Sequence, residues 1–188
     1  MPEPRVVVIY AHAAPRLSRV NEPLRHALEQ LDGVQVRNLY VRYPDFDIDV
    51  AAEQAALASA ELVIWQYPVH WYAMPSLMKE WLDTVFTHGW AFGEGGTALR
   101  GKALLALLTA GSAQQAYRPG ALHGFHFDAF LPPLQQSAAL CRMRWLPPQV
   151  FHDARGAPAE AVAAHIEAVC AALRQFVATG RLPFVDGA

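Results

Sequence analysis

Nowhere in its 188 residues does the chain contain an apolar run approaching the roughly 20 residues of a membrane span. Charge of one sign is missing too. Fifteen basic against seventeen acidic side chains leave a formal charge of −2 and a pI near 6.4, no basic field for a phosphate backbone, and nucleic acid is not an expected partner. There are two cysteines, Cys141 and Cys170, far apart and without metal-ligand spacing, and the opening Met-Pro-Glu-Pro-Arg does not read as a signal peptide. Both thiols are expected to be reduced and buried in a cytoplasmic protein. The glycine signatures GxGxxG and GxxxxGK are absent, which removes the usual dinucleotide and P-loop phosphate sites. A hydrolase elbow is absent as well, because Gly111-Ser112-Ala113 lacks the second glycine of GxSxG. Among eight histidines only His123 and His126 are close and no HExxH pair exists, so no metal site is expected.

What is present is an apolar chain, 53% hydrophobic and 17% charged, of a length suited to one core, so residues 1–188 are read as one domain with its core at about 5–178. Arg5 to Ala11 is a β-branched strand, followed by the loop His12–Ser18 and helical periodicity over Arg19 to Leu31, closed by Asp32-Gly33. Val34 to Tyr40 alternates like a strand, Ala51 to Ala60 reads as an alanine-rich helix, and Glu61 to Gln66 as a buried strand. Pro75 can open a helix continued by Leu77 to Phe86, and Gly101 to Thr109 is a further buried strand. A helix near Phe125 to Cys141, a strand near Met143 to Phe151 and an amphipathic helix from about Pro158 to Val177 follow, with an irregular tail over 180–188. This alternation predicts an α/β fold of three layers, a five-stranded parallel sheet in the order 2-1-3-4-5 with helices on both faces. Ligands then bind beyond the carboxyl ends of the strands, where the loops after Ala11, Gln66 and Thr109 converge.

Each of those loops carries unusual residues. His12, Ser18 and Asn21 stand at the start of a helix, whose free N–H groups favour a phosphate, although Ser18 also reads as an ordinary helix cap. Pro68-Val-His-Trp-Tyr-Ala-Met-Pro75 sets Trp71 and Tyr72 between prolines, either as a stiff platform for a flat ring or as an aromatic plug for the sheet end. Thr109-Ala-Gly-Ser112 is a small turn whose backbone N–H groups can reach a polar ring edge. Tyr117 and His123 can share protons with an acceptor whose oxygen gains negative charge. Gly89 to Gly101 is glycine-rich and suits a mobile active-site wall.

Taken together, the loops and the stretches Tyr43-Pro-Asp-Phe-Asp-Ile-Asp49, Trp65-Gln-Tyr-Pro-Val-His-Trp-Tyr72, His88-Gly-Trp-Ala-Phe-Gly93 and Trp145-Leu-Pro-Pro148 resemble the flavodoxin-fold NAD(P)H:quinone oxidoreductases. The nearest likeness is to KefF/KefG-type ancillary subunits of glutathione-regulated potassium-efflux antiporters. The resemblance runs from about Val6 to Gln175. It implies a homodimer with one FMN or FAD per subunit and NAD(P)H as electron donor. It places the flavin phosphate on His12, Ser18, Arg19, Val20 and Asn21, and the ring along Pro68, Val69, His70, Trp71, Thr109, Ala110, Gly111 and Ser112. Tyr117 and His123 fall at the positions that act on the quinone, with Tyr72, Trp90 and Phe92 in the substrate pocket. Relatives carry Gln where this chain has His70, and Thr-Thr-Gly-Gly where it has Thr109-Ala-Gly-Ser112. The implied reaction is hydride transfer by a ping-pong cycle. Rivals are a non-enzymatic regulatory subunit, peripheral at the membrane through a transporter, and a one-electron carrier.

Overall fold

The computed structural model describes residues 5–183. β1 (Val6–Tyr10) is buried along its whole length, as a strand covered on both faces must be. It lies between β2 (Val34–Asn38) and β3 (Leu62–Pro68), and β3 pairs with β4 (Ala103–Thr109), every pairing parallel. Val6 stands opposite both Val34 and Leu62, and Leu62 opposite Ala103, so the strands start level and their carboxyl ends share one edge. The order is β2-β1-β3-β4-β5, as the alternation predicts.

The fifth position corrects the expectation of a single strand over Met143 to Phe151. It is filled by two pieces, β5 (Arg144–Trp145) and β6 (Gln149–Phe151), each paired with β4. Pro147-Pro148 separates them, because a proline cannot donate to the ladder.

The helices are α1 (Asn21–Leu28), α2 (Leu39–Arg42), α3 (Val50–Ser59), α4 (Ser76–Val85), α5 (Pro132–Leu140) and α6 (Ala159–Thr179). α1 is shorter than its apolar period: Arg19 and Val20 stay outside it, and Glu29 and Gln30 form a turn. The strand expected to reach Tyr40 stops at Asn38, where Leu39 and Tyr40 enter α2. The helix expected over Phe125 to Cys141 becomes a 3₁₀ turn at Phe127–Phe130 followed by α5, since Pro132-Pro133 fits only a first helical turn.

Alternate strand residues face opposite layers. Leu24 and Leu28 of α1 and Val169, Leu173 and Phe176 of α6 cover Val6, Val8, Ile64 and Leu105. Leu57, Leu77, Trp81 and Leu134, from α3, α4 and α5, cover Val7, Ile9, Val63 and Leu104 on the other face. By length and composition α6 would itself pass for a membrane span, which corrects the reading that no such stretch exists; its buried stripe packs on the sheet. Of the tail expected to be irregular, Leu182 is buried against the α6 layer, and 184–188 lie outside the described residues.

One of the stretches shared with the resembling family proves to be structural. The Tyr43 hydroxyl donates to the buried Glu53 carboxylate at 2.5 Å, and Asp49 caps α3 by accepting the Ala52 N–H at 2.9 Å. Arg37 and the Trp81 indole N–H complete the Glu53 shell at 2.8 and 2.9 Å.

Candidate functional site

The carboxyl ends of β1, β3 and β4 deliver their loops to one crevice, and a fourth loop, after β6, closes it. The first loop descends from β1 through a 3₁₀ turn at Pro15–Leu17 to α1. Ser18 is not the N-cap, a position held by Val20, yet its Oγ accepts the Glu22 N–H at 3.0 Å and so retains a hydroxyl proton to donate. The backbone N–H groups of Arg19, Val20 and Asn21 have no acceptor among the described residues. Three such groups at a helix start form a concavity for an anion. His12 Nδ1 accepts the Ala14 N–H at 3.1 Å, which leaves its proton on Nε2. Burial, reinforced by His70 at a ring separation of 6.4 Å, lowers the His12 pKa below the ordinary imidazole value, with Glu22 partly opposing.

The second loop folds into a two-residue turn. His70 and Ala73 exchange both backbone hydrogen bonds, at 2.9 and 3.0 Å, while Trp71 and Tyr72 take left-handed φ values of 50° and 63°. Large aromatic residues pay strain in that region, which glycine or asparagine would avoid. The turn holds Trp71 out at 93% exposure. Tyr72 instead leans on Phe130, ring centres 4.8 Å apart, and its hydroxyl is 3.3 Å from His123 Nδ1.

In the third loop Ala110 is buried, its N–H donating to Phe151 and its carbonyl accepting from Ala154. The N–H groups of Gly111 and Ser112 have no acceptor among the described residues. Gly111 does not have a positive φ; a Cβ there would come within 3.6 Å of Arg155 Nε and fill the crevice wall. The Tyr117 ring stacks on His123 with centroids 4.0 Å apart, and His123 Nε2 is buried without a partner. Burial and the nearby Tyr72 phenol raise the Tyr117 pKa, with the Ser112 hydroxyl pulling the other way, so the phenol stays protonated at neutral pH.

The cavity between these loops has a volume of about 390 Å³. His12, Ser18, Arg19, Val20 and Asn21 line it from the first loop, Pro68, Val69 and His70 from the second, and Thr109 and Gly111 from the third. Trp71, Ala110 and Ser112 do not line it. Asn21 supplies a test of what belongs inside. Its Nδ2 donates to Thr109 Oγ1 at 2.6 Å, while Oδ1 is buried with no donor among the described residues. A bare phosphate offers no hydrogen there, whereas a polyhydroxyl chain does. A flavin mononucleotide, with phosphate, ribityl hydroxyls and flat ring, matches the N–H cradle, Asn21 and the two later loops in turn.

Tyr72 lines a separate apolar pocket of about 140 Å³ with Met74, Phe127, Phe130 and Leu134, in keeping with a substrate wall. Trp90 and Phe92 lie elsewhere in the single chain. Within one chain Phe92 faces a groove with Leu82, Phe86 and Cys141, and Trp90 packs beside the α4 layer, neither of them lining the cavity. The glycine-rich segment is internally bonded, with Gly89 N–H to the Phe92 carbonyl at 2.8 Å and Ala98 N–H to that of Trp90 at 3.1 Å. Ala154 and Arg155 of the fourth loop were not legible beforehand. The signal was His152-Asp-Ala-Arg-Gly156, a polar, glycine-ended loop directly after a strand that the sequence does end at Phe151.

A family profile described as flavodoxin-like fold matches residues 4–177. The general stress protein 14 from Treponema denticola, solved in complex with FMN, is 34% identical with a TM-score of 0.83, over 90% of this chain and 99% of that one. A chain described as thermophilic tryptophan halogenase from Streptomycin violaceusniger is also 34% identical, with a TM-score of 0.82, over 86% and 94%. An NADPH-quinone reductase from P. pentosaceus is 27% identical with a TM-score of 0.79, over 94% and 99%.

Proposed function

Because the chain belongs to the Flavodoxin_2 family, of flavodoxin-like fold, we propose that it is a flavin-dependent NAD(P)H:quinone oxidoreductase holding FMN in the four-loop cavity. The observation that carries this reading is the pairing of two groups of unpartnered backbone N–H donors, at 19–21 and 111–112, with the Tyr117–His123 stack beside the second of them. FMN in the Treponema denticola relative favours FMN over FAD. The halogenase named for a relative of equal identity is a reminder that a fold does not choose a reaction, so the choice rests on the site and on the quinone-reductase relative.

A bound flavin would supply two-electron chemistry between NAD(P)H and a quinone-type acceptor. The chain's own residues do the rest. The 19–21 cradle, the Ser18 hydroxyl and His12 Nε2–H would hold the phosphate, Asn21 Oδ1 would accept from a ribityl hydroxyl, and the Gly111 N–H, with that of Ser112 just outside the cavity lining, would meet the polar ring edge. Tyr72, walling the adjoining apolar pocket, would shield the reacting face from water, and the exposed Trp71 would do so once a second copy covers it. Tyr117 Oη would donate to the acceptor oxygen as negative charge grows on it, with His123 stacked on its ring and 3.3 Å from the Tyr72 hydroxyl.

A homodimer completes the site in this reading. Trp71, Leu122 at 80%, Phe125 at 62% and Tyr72 at 45% exposure form an apolar rim that a second copy would cover, and Trp90 and Phe92 of that copy would supply the missing wall. The motif resemblance further suggests a cytoplasmic protein that docks on the cytosolic part of a potassium-efflux antiporter; pull-down against that domain tests it. A one-electron carrier is disfavoured, since a charge of −2 gives little steering field.

The test is an absorbance spectrum of purified protein, chromatography of the flavin released on denaturation, then bleaching by NADH or NADPH and reoxidation by a simple quinone. Released FMN that bleaches and recovers supports the proposal. Protein that binds neither FMN nor FAD overturns it.

A further inference from the structure

The first, third and fourth loops are tied together where the cavity is most polar. Asp153 N–H donates to the Ser112 carbonyl and Ala154 N–H to the Ala110 carbonyl, both at 3.0 Å. Asp153 takes a left-handed φ of 54°, and Gly156 and Ala157 return their N–H groups to its carbonyl, so the fourth loop is a tight turn. From the other side the Arg19 guanidinium donates to the Arg155 carbonyl, and to that of Ala157 at 3.1 Å. The turn that carries Arg155 is thereby held by the first and third loops, Arg155 itself through its carbonyl, and its side chain passes Gly111 at the cavity wall.

A count of the charges facing this cavity isolates one group. Arg19 spends its fork on backbone carbonyls. His12 is biased toward the neutral form by burial and by His70. The 19–21 cradle and Ser18 offer dipoles only. Glu22 is paired with Arg25 and Tyr10. Among the described residues the Arg155 guanidinium makes no hydrogen bond and no ion pair, not even with Asp153 two residues away. Neutral donors can hold a phosphate by their dipoles, and a cation whose fork is free adds the charge pairing that they lack.

We infer that Arg155 is the anion-recognising residue of this site and binds the terminal phosphate of the flavin, so that the loop after β6 selects phosphorylated flavin over riboflavin. The inference rests on the flavin reading proposed above and adds to it the group that neutralises the ligand.

Fluorescence titration of the full-length apoprotein with FMN, FAD and riboflavin tests it without recourse to turnover. Arg155→Gln is expected to weaken FMN about ten- to hundredfold at low salt while leaving riboflavin unchanged, and to flatten the salt dependence of FMN binding. Arg155→Lys is expected to recover part of the loss, as a point charge replaces a fork. Unchanged FMN affinity in Arg155→Gln overturns the inference while leaving the flavin site intact. Equal losses for FMN and riboflavin also overturn it, by assigning Arg155 to the ring or to loop structure. Wild-type protein that binds none of the three flavins removes the flavin site and this inference together.

Discussion

Glu53 has no exposed surface, and its carboxylate gathers donors from Arg37, Tyr43 and Trp81, three separate elements. Desolvation alone would raise its pKa, but the hydrogen bonds from Arg37, then Tyr43 and Trp81, outweigh it and hold the carboxyl ionised. Glu53→Ala strands the Arg37 charge in the core and is expected to cost about 3–5 kcal/mol in denaturant unfolding. At the site, Tyr117→Phe and His123→Gln are each expected to lower quinone turnover about a hundredfold while FMN affinity, read by fluorescence, stays near wild type. Unchanged kcat in both variants would remove the pair from the reaction. Residues like these were legible because their chemistry is written in their type: a tyrosine and a histidine after a glycine turn, a serine before a helix. Arg155 was not, because an exposed arginine in a loop has the same appearance whether it faces solvent or a cavity. Only the hydrogen bonds that tie its turn to distant loops, from Asp153 and Ala154 to Ser112 and Ala110 and from Arg19 to the Arg155 carbonyl, decide which.

The Trp71-Tyr72 turn shows strain concentrated in one element. Its two left-handed residues are held by the paired hydrogen bonds of His70 and Ala73 and by the strand before them. Trp71 buries little in the single chain, so Trp71→Asn is expected to relieve strain and raise unfolding stability by about 1 kcal/mol, while weakening flavin binding and dimerisation. Thermal melting alongside FMN titration reads both effects; a variant that is less stable and binds as before contradicts the role given to this turn. Sequence patterning identified the loop as rigid through its prolines but not as a hairpin, since tryptophan and tyrosine are poor formers of such turns. Similar reasons shifted other boundaries. Apolar period continues through Arg19 and Leu31, whereas hydrogen bonding stops α1 short of both. Adjacent prolines, by contrast, act through covalent geometry: Pro132-Pro133 opened α5, and Pro147-Pro148 divided the fifth strand position.

The molecule as a whole carries three histidines, His12, His152 and His165, whose pKa values burial lowers below the ordinary 6.5. Below that pH the unfolded chain binds protons that the folded chain resists, so the stability they contribute is complete above about 6.5 and is lost as pH falls through the lowered folded values. The melting temperature is therefore expected to drop between pH 7 and 5.5, and His165→Gln, at a ring packed on Phe151 away from the cavity, to make that drop shallower. A melting curve flat across this range contradicts the burial assigned to these rings. By itself the sequence determined the layers and the strand order, because β-branched runs alternating with amphipathic helices leave a parallel sheet with right-handed crossovers as the arrangement that buries both. It also determined which three loops carry polar and aromatic residues at the sheet edge. Tertiary structure alone decided that a fourth loop closes the cavity, that Ser18 serves α1 from outside it, and that Trp90 and Phe92 turn away from the site within one chain. Those outcomes depend on where distant backbones meet and which polar atoms remain unpaired, and neither property belongs to any local stretch of residues.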